Sequence, residues 1–383
     1  MTTTDPAPAA SGAPAPGVPL APIAERADAP AVLPALPAGL AWRAATLDDA
    51  PVLVELRNAI AEADGEPFRV SSGEVADELA RPWRDLGADT LVGLDDDGTP
   101  RAWGLVESMP GDTTIVRAFL FGGVHPRRRG EGIGRRLFAW QVARGRQVLT
   151  ASGKEVPARI GVFVEDDAPS AAVRLYERAG LTPRRYYAEL TRDLRDLEAH
   201  PLPDVALDGG LRLVPIADEH DEATRLAHND AFRDHWGSQP MSPEQWQAGR
   251  SEFAPEWSFV VVDPSPDVEA LLADPGTDAA TAAALRAGEP LVVGYHIAAR
   301  YTEDFAVRGY PFGYTDILGV RRAYRGRKVA VALLAAGMGA FAADGMQYAS
   351  LDVDTENPSG AHGLYASLGY VKTHGSHLRS IEL

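Results

Sequence analysis

Arg129-Gly130-Glu131-Gly132-Ile133-Gly134 joins an apolar run, Ile115 to Gly123, to a stretch from about Gly132 to Val148 with helical apolar spacing. Glycines let a backbone turn sharply and approach a ligand with no Cβ in the way. The following helix leaves its first N–H groups unpaired and carries a partial positive charge at that end. Such a turn suits a pyrophosphate, and Arg127, Arg128 and Arg129 add cationic groups beside it. The spacing is neither the G-x-G-x-x-G of a dinucleotide fold nor a P-loop with its Gly-Lys-Ser/Thr ending. Standing alone, the turn suits an ordinary strand-to-helix loop with a solvated basic cluster as well as it suits a phosphate site.

The turn recurs. Val124-His125-Pro126-Arg127-Arg128-Arg129-Gly130 parallels Val320-Arg321-Arg322-Ala323-Tyr324-Arg325-Gly326. Further on, Ser170-Ala171-Ala172-Val173-Arg174-Leu175-Tyr176 parallels Ser359-Gly360-Ala361-His362-Gly363-Leu364-Tyr365. Two matched blocks in one order, at the same element boundaries, indicate duplication. Each copy reads as strands alternating with helices. The first has strands at Ala41–Ala45, Thr90–Leu94, Ala102–Ser108, Ile115–Gly123, Arg159–Val164 and Tyr186–Leu190, and a helix at Ser170–Ala179. In the second, strands are expected at Leu211–Val214, Ser258–Val262, Leu291–Ala299, Gly313–Val320, Ala349–Asp354 and His377–Ile381. Its helices are expected at Asp218–Phe232, Ala330–Ala343 and Gly360–Leu368. The fold class is therefore α/β with a mixed sheet in two pseudo-duplicated domains, 38–198 and 208–383. Residues 1–37, rich in Ala and Pro, read as a disordered tail. The Asp/Ala/Pro-rich insert Pro264–Glu289 reads as a surface loop with at most one short helix.

Composition narrows the function. Hydrophobic residues make up 45% of the 383, enough for two cores. A net charge of −17 disfavours nucleic-acid binding, which needs a basic face, and favours cationic small molecules. Without cysteine, thiolate zinc sites and covalent Cys catalysis are excluded. No basic-then-apolar signal sequence and no run of about 18 apolar residues is present. A cytoplasmic protein, monomer or homodimer, with no nucleic-acid or membrane partner is expected. His228 and His235 lack a third ligand, so no metal is expected.

Arg129, Gly132 and Gly134 resemble the coenzyme A loop of the GNAT acetyltransferase superfamily, where Arg or Gln precedes x-x-Gly-x-Gly or Ala. Arg325 and Ala330 match in the second copy, but Lys328 replaces the central glycine; a lysine can serve there if its backbone stays helical and its side chain points outward. Leu175-Tyr176-Glu177-Arg178-Ala179-Gly180-Leu181 and Leu364-Tyr365-Ala366-Ser367-Leu368-Gly369-Tyr370 look like the family's L-Y-x-x-x-G-F block. The resemblance covers Leu40 to Leu383. It implies a twisted sheet whose fourth and fifth strands splay around acyl-CoA. It places CoA contacts at Val124, Arg129, Gly130, Gly132, Ile133 and Gly134, and at Val320, Arg325, Gly326, Lys328, Val329 and Ala330. Asn357 fits the Asn that the family often has ahead of the tyrosine helix; the first copy has Asp166-Asp167-Ala168-Pro169 instead.

The implied activity is acetyl-CoA-dependent N-acetylation of a small amine by direct transfer in a ternary complex. Tyr176 and Tyr365 would each protonate the leaving thiolate. A base must first deprotonate the ammonium, and Asp316, Asp352, Asp354 and Glu356 are candidates, with Glu165 and Asp166 as first-copy equivalents. The segment His228 to Gly237 resembles the substrate side of actinobacterial tandem acetyltransferases of the mycothiol synthase type. His228, Phe232, His235 and Trp236 are therefore candidate acceptor contacts, although capping and packing around Trp236 would explain them equally. The alternatives are an acyl-CoA-binding sensor or scaffold without catalysis, and a protein lysine or N-terminal acetyltransferase.

Overall fold

The computed structural model describes residues 20–356 and 361–383. Twelve strands form one sheet. They are β1 Ala41–Arg43, β2 Thr90–Leu94, β3 Pro100–Glu107, β4 Val116–Val124, β5 Ala158–Glu165 and β6 Thr182–Asp193. The rest are β7 Arg212–Pro215, β8 Phe259–Asp263, β9 Leu291–Ala299, β10 Phe312–Val320, β11 Tyr348–Asp354 and β12 Val371–Glu382. Their order in space is β1-β2-β3-β4-β5-β12-β6-β11-β10-β9-β8-β7. Every expected strand is present, most within a few residues of its expected ends; β6 and β12 are much longer, at twelve residues each.

The order contains an exchange that the duplication does not announce. Strand β12, the last in the chain, lies between β5 and β6 and is antiparallel to both. Strand β6, from the first half, pairs antiparallel with β11 of the second. Each half therefore contributes one long strand to the other's edge. On the edges facing away from β4 and β10, the backbone groups of β5 and β11 are satisfied across this exchange, and open edges of such length invite aggregation. The two sequence halves close a single sheet together.

Helices cover the faces. Ile133–Ala151 buries Ile133, Leu137, Phe138, Trp140 and Leu149 against β3, β4 and β5. Its counterpart Val329–Ala343 is apolar almost all round and buries Val329, Leu333, Leu334, Met338 and Phe341, as a helix enclosed on most sides does. Phe341 lies flat on β10 where Gly313 has no side chain; a Cβ there would come within 2.2 Å of the ring.

Two expectations change. Residues 20–37 are held to the fold instead of trailing from it. Ile23, in the short helix Ile23–Arg26, is fully buried in the core under Ile133–Ala151, and Leu33 and Leu36 pack against the same cluster. Ile23 N–H donates to Lys154 O at 2.9 Å, Gln147 Nε2 to Pro30 O at 2.9 Å and Trp42 Nε1 to Pro37 O at 3.0 Å. Ala/Pro richness hid the apolar residues that do the anchoring. Residues 1–19 lie outside the described residues. The insert contains two helices, Val268–Ala273 and Ala279–Ala287, each capped by an Asp side chain, Asp267 and Asp278. The Asp residues that suggested a loop are N-caps.

Ile23→Ala is expected to lower stability by about 2–4 kcal/mol, the cost of emptying a buried Ile site, in one cooperative transition of the whole chain. Urea unfolding followed by far-ultraviolet circular dichroism tests this; an unchanged midpoint would mean that the segment is not anchored.

Candidate functional site

The two Gly-rich turns have the same backbone. Gly130 and Gly132 have φ of 84° and 79°; Gly326 and Lys328 have 77° and 60°. Lys328 therefore does not meet the condition of a helical backbone. It takes the left-handed conformation that its glycine counterpart takes, one that costs a side chain about 1–2 kcal/mol. A Cβ at Gly130, Gly132 or Gly326 would meet nothing within 4 Å, so the loops face open space. Behind them Ile133 and Val329 begin long helices, with Gly134 and Ala330 in their first turns, whose free N–H groups point into that space. Both loops suit an extended anion such as the CoA pyrophosphate.

The arginines that open the motifs act as anchors. Arg129 makes a bidentate pair with Asp64 at 2.5 and 2.9 Å and donates from Nε to Val124 O at 3.1 Å. Arg325 donates to Val320 O at 3.4 Å and to Ala231 O at 2.7 Å. Each ties its turn to the helix after its half's first strand, Ala50–Asp64 or Asp221–Phe232.

Beyond the loops both parallel pairs splay. β4 and β5 are in register only from Val116/Ala158 to Phe119/Gly161, and β10 and β11 only from Phe312/Tyr348 to Thr315/Leu351. The halves then differ. β10 carries a β-bulge against β9, with Thr315 opposite Ala298 and Ile317 opposite Ile297, leaving Asp316 as the extra residue. β4 runs against β3 without a shift. A bulge frees a backbone N–H from the ladder and re-aims a side chain. Thr315 is held from behind by the buried His296, whose Nε2 lies 2.9 Å from Thr315 Oγ1. Burial pushes His296 down to about 4, so the ring is neutral.

Tyr176 and Tyr365 occupy equivalent helices, Ser170–Arg178 and Ala361–Ser367. Tyr176 is half-buried against Phe138, with ring centroids 5.0 Å apart. Tyr365 is buried beside Tyr370, in the core cluster that Leu318 of β10 joins just past the bulge. Burial raises both phenols, Tyr365 to about 12. Each stays protonated at neutral pH, fit to donate a proton and unfit to take one.

A cavity of about 280 Å³ opens where the halves meet, and Asp316 and Asp352 line it together with Glu165 of β5. Asp316 is reached by solvent through the cleft but crowded by protein elsewhere, which lifts its carboxyl to about 6. Asp352 accepts from Tyr314 OH at 2.7 Å, and burial raises it nonetheless. Burial, then the charges of Asp352, Glu66 and Asp167, raise Glu165 to about 7.

Other candidates lie elsewhere. Asp354 is buried in an ion pair with Arg185 at 2.8 Å, and Glu356 pairs with the same guanidinium at 2.7 Å. Arg185 thus occupies both carboxylates, and neither lines the cavity. Asn357 lies outside the described residues. His228 is buried, with Nδ1 2.7 Å from Tyr295 OH, stacked on Phe232 and lowered to about 4 by burial. His235 packs against Phe232 at 5.3 Å. Trp236 is crossed by the guanidinium groups of Arg159 and Arg185, at 4.2 and 5.1 Å. His228 and Phe232 belong to a packed core that Ile317 of β10 joins, and Trp236 lies on a seam between the halves.

Sequence reading missed Glu189, Asp304 and Arg308. Glu189 pairs with Arg308, and Asp304 accepts from the Arg69 main-chain N–H at 2.6 Å. Asp304 and Arg308 lie in a short helix between β9 and β10, and Glu189 reaches the cavity only because β6 has crossed over. No local motif marks any of them.

The Acetyltransferase (GNAT) family profile matches residues 244–370. A mycothiol acetyltransferase of Thermobispora bispora is 30% identical over 329 residues, 85% of this chain and 94% of that protein. A GCN5-related N-acetyltransferase from Sphaerobacter thermophilus superposes with a TM-score of 0.60 at 26% identity, over 91% of this chain and 97% of that one. A tandem GNAT protein from the clavulanic acid biosynthesis pathway has the same fold, with a TM-score of 0.60 at 17% identity, over 90% and 98% of the two chains.

Lys328→Gly should relieve the left-handed backbone. Part of the gain is lost to the greater freedom of glycine in the unfolded chain, so a net stabilisation on the order of 0.5–1 kcal/mol is expected. A lower melting midpoint for Lys328→Gly would contradict it.

Glu165 carries a second prediction. Its folded pKa of about 7 lies above the ordinary 4.5. Its contribution to stability is therefore fully present below pH 4.5 and is lost as pH rises through 7. Glu165→Gln should remove that loss, adding on the order of 1 kcal/mol at pH 8, after allowance for solvent screening, and little at pH 4.5. Denaturant midpoints of the two proteins across this range decide it.

Proposed function

We propose a mechanism for a chain that belongs to the GNAT acetyltransferase family and is an N-acetyltransferase: its second half transfers acetyl from acetyl-CoA to a small-molecule amine in a ternary complex. The observation that carries this reading is the bulge at Asp316. It coincides with the splay of β10 from β11 and with the mouth of the cavity, whereas β4 has no bulge.

In this reading the second loop holds the pyrophosphate of acetyl-CoA and the thioester reaches along the splay to the bulge. The Asp316 carboxylate, poised near 6, accepts a proton from the acceptor ammonium, directly or through a water. The freed amine attacks the thioester carbonyl. Main-chain N–H groups at the bulge stabilise the oxyanion. The intermediate collapses, the C–S bond breaks, Tyr365 gives its phenolic proton to the departing thiolate, and the extra proton left on the new amide nitrogen returns to the phenolate through water. With no cysteine to carry an acyl group, direct transfer needs no covalent enzyme intermediate. The first half keeps the intact glycine loop but lacks the bulge, which supports a role in holding acyl-CoA without turnover.

Tyr365→Phe is expected to lower kcat by roughly 10²–10⁴-fold, while Tyr176→Phe stays near the wild-type rate. CoA release from acetyl-CoA with a panel of primary amines measures both. A crippled Tyr176→Phe beside an active Tyr365→Phe would move the chemistry to the first half. Asp316→Asn should remove the limb of the kcat/KM profile that rises through about pH 6; an unchanged profile would exclude Asp316 as the base.

A further inference from the structure

Asp316 stands where two cavities meet. The larger, of about 280 Å³, and a second, of about 210 Å³, share Asp316 and Tyr301. The larger is at the small end for a ligand pocket, and its wall is unusually acidic. Glu74, Glu165, Glu189, Asp304, Asp316 and Asp352 all line it, from both halves of the chain. Glu189 and Asp352 are direct cross-strand partners on β6 and β11. Like charges so placed destabilise a sheet.

Three basic side chains, Arg69, Arg308 and His374, line the same cavity against the six carboxylates, and His374 lowers Glu165 and Asp352 without cancelling the effect of burial. Arg308 is taken up by Glu189. Arg69 directs its guanidinium to the carbonyls of Glu66 and Phe68. Neither the Glu165 nor the Asp316 carboxylate has a side-chain hydrogen bond or ion pair among the described residues. Burial also raises Glu74, and it lifts Asp304 to about 6, so the protein alone solvates these carboxylates poorly. An independent feature points to the same kind of guest. The rings of Tyr301 and Tyr314 stand edge to face over this cavity, with centroids 5.4 Å apart at 77°. Aromatic faces attract ammonium groups. The second cavity is lined in part by Met241, Trp246, Phe253, Ile297 and Ile317, and offers an apolar alternative for the rest of a ligand.

We propose that the acceptor carries two amino groups. One is acetylated beside Asp316, where the cavities meet; the other, as an ammonium, sits in the larger cavity between Glu165, the Glu189–Asp352 pair and the two tyrosines. An acceptor with a carboxylate at that end is rejected, because it would add a negative charge to an acidic wall. The inference rests on the reading of Asp316 as the site of transfer.

Titration calorimetry on the full chain at pH 7.5 compares 1,5-diaminopentane, n-pentylamine and 5-aminopentanoate, three primary amines of matched length. The diamine is expected to bind at least about tenfold more tightly than pentylamine, with the aminopentanoate weakest. Glu165→Gln should cut the ratio of diamine to monoamine affinity several-fold, and 0.5 M NaCl should shrink it further. Equal affinity for the diamine and pentylamine overturns the proposal, as does a Glu165→Gln protein with an unchanged ratio. CoA release in the same solutions separates the two readings. Selective diamine binding without acetyl transfer keeps the ammonium site in the larger cavity but defeats the proposed reaction, and with it the diamine as acceptor. Acetylation of pentylamine with no diamine preference does the reverse.

Discussion

The structure depends on two long strands satisfying hydrogen bonds at the other half's edge. A splayed parallel pair opens a slot for a ligand, but it also leaves β5 and β11 with free donors and acceptors beyond the fourth paired residue. Strands β12 and β6 cover the far edges of those two strands and pair with each other over most of their length. A buried N–H or C=O without a partner costs about 1–3 kcal/mol, so exchange across a dozen residues is a large term. The same pairing carries Glu189 from the first half beside Asp352 of the second, and sets Ser376 opposite Glu165. The cavity between the halves is a consequence of how the sheet is closed.

Duplication followed by divergence explains the asymmetry of the two loops. Gly132 and Lys328 share one backbone conformation, so the turn has the same shape with or without a glycine there. Retaining a strained residue where glycine would be easier is common at working sites. The bulge at Asp316, braced by the neutral His296, has no counterpart on β4. One half has glycine at both left-handed positions of its loop, and the other has the bulge. A loop that binds and a strand that reacts answer to different constraints and need not be best in the same copy.

Electrostatics links the site to the whole molecule. A chain of net charge −17 concentrates part of that charge in a concave surface, where low-dielectric walls focus the field and draw cations inward. The cost appears in the raised carboxyls of Glu165, Asp304 and Asp316. A carboxylate held near 6 is at once a costly group in the resting protein and a useful base close to neutral pH.

The sequence by itself determined what is local. Apolar spacing marked the strands and the long helices. Glycines at 130, 132 and 134 marked the turn, and the two tyrosine blocks marked the helices that follow the fifth strand of each copy. These signals lie within a few residues of what they specify. Tertiary structure alone decided what depends on distant partners. It buried Ile23 under a helix more than a hundred residues away, and it engaged Asp354 and Glu356 with Arg185 while leaving Asp316 open to the cleft. It turned His228 into a packed core group and brought Glu165, Glu189 and Asp304 to one cavity. A carboxylate looks the same in a sequence whether an arginine answers it or not. The pairing of strands from opposite ends of the chain supplies or withholds that arginine, and with it the chemistry.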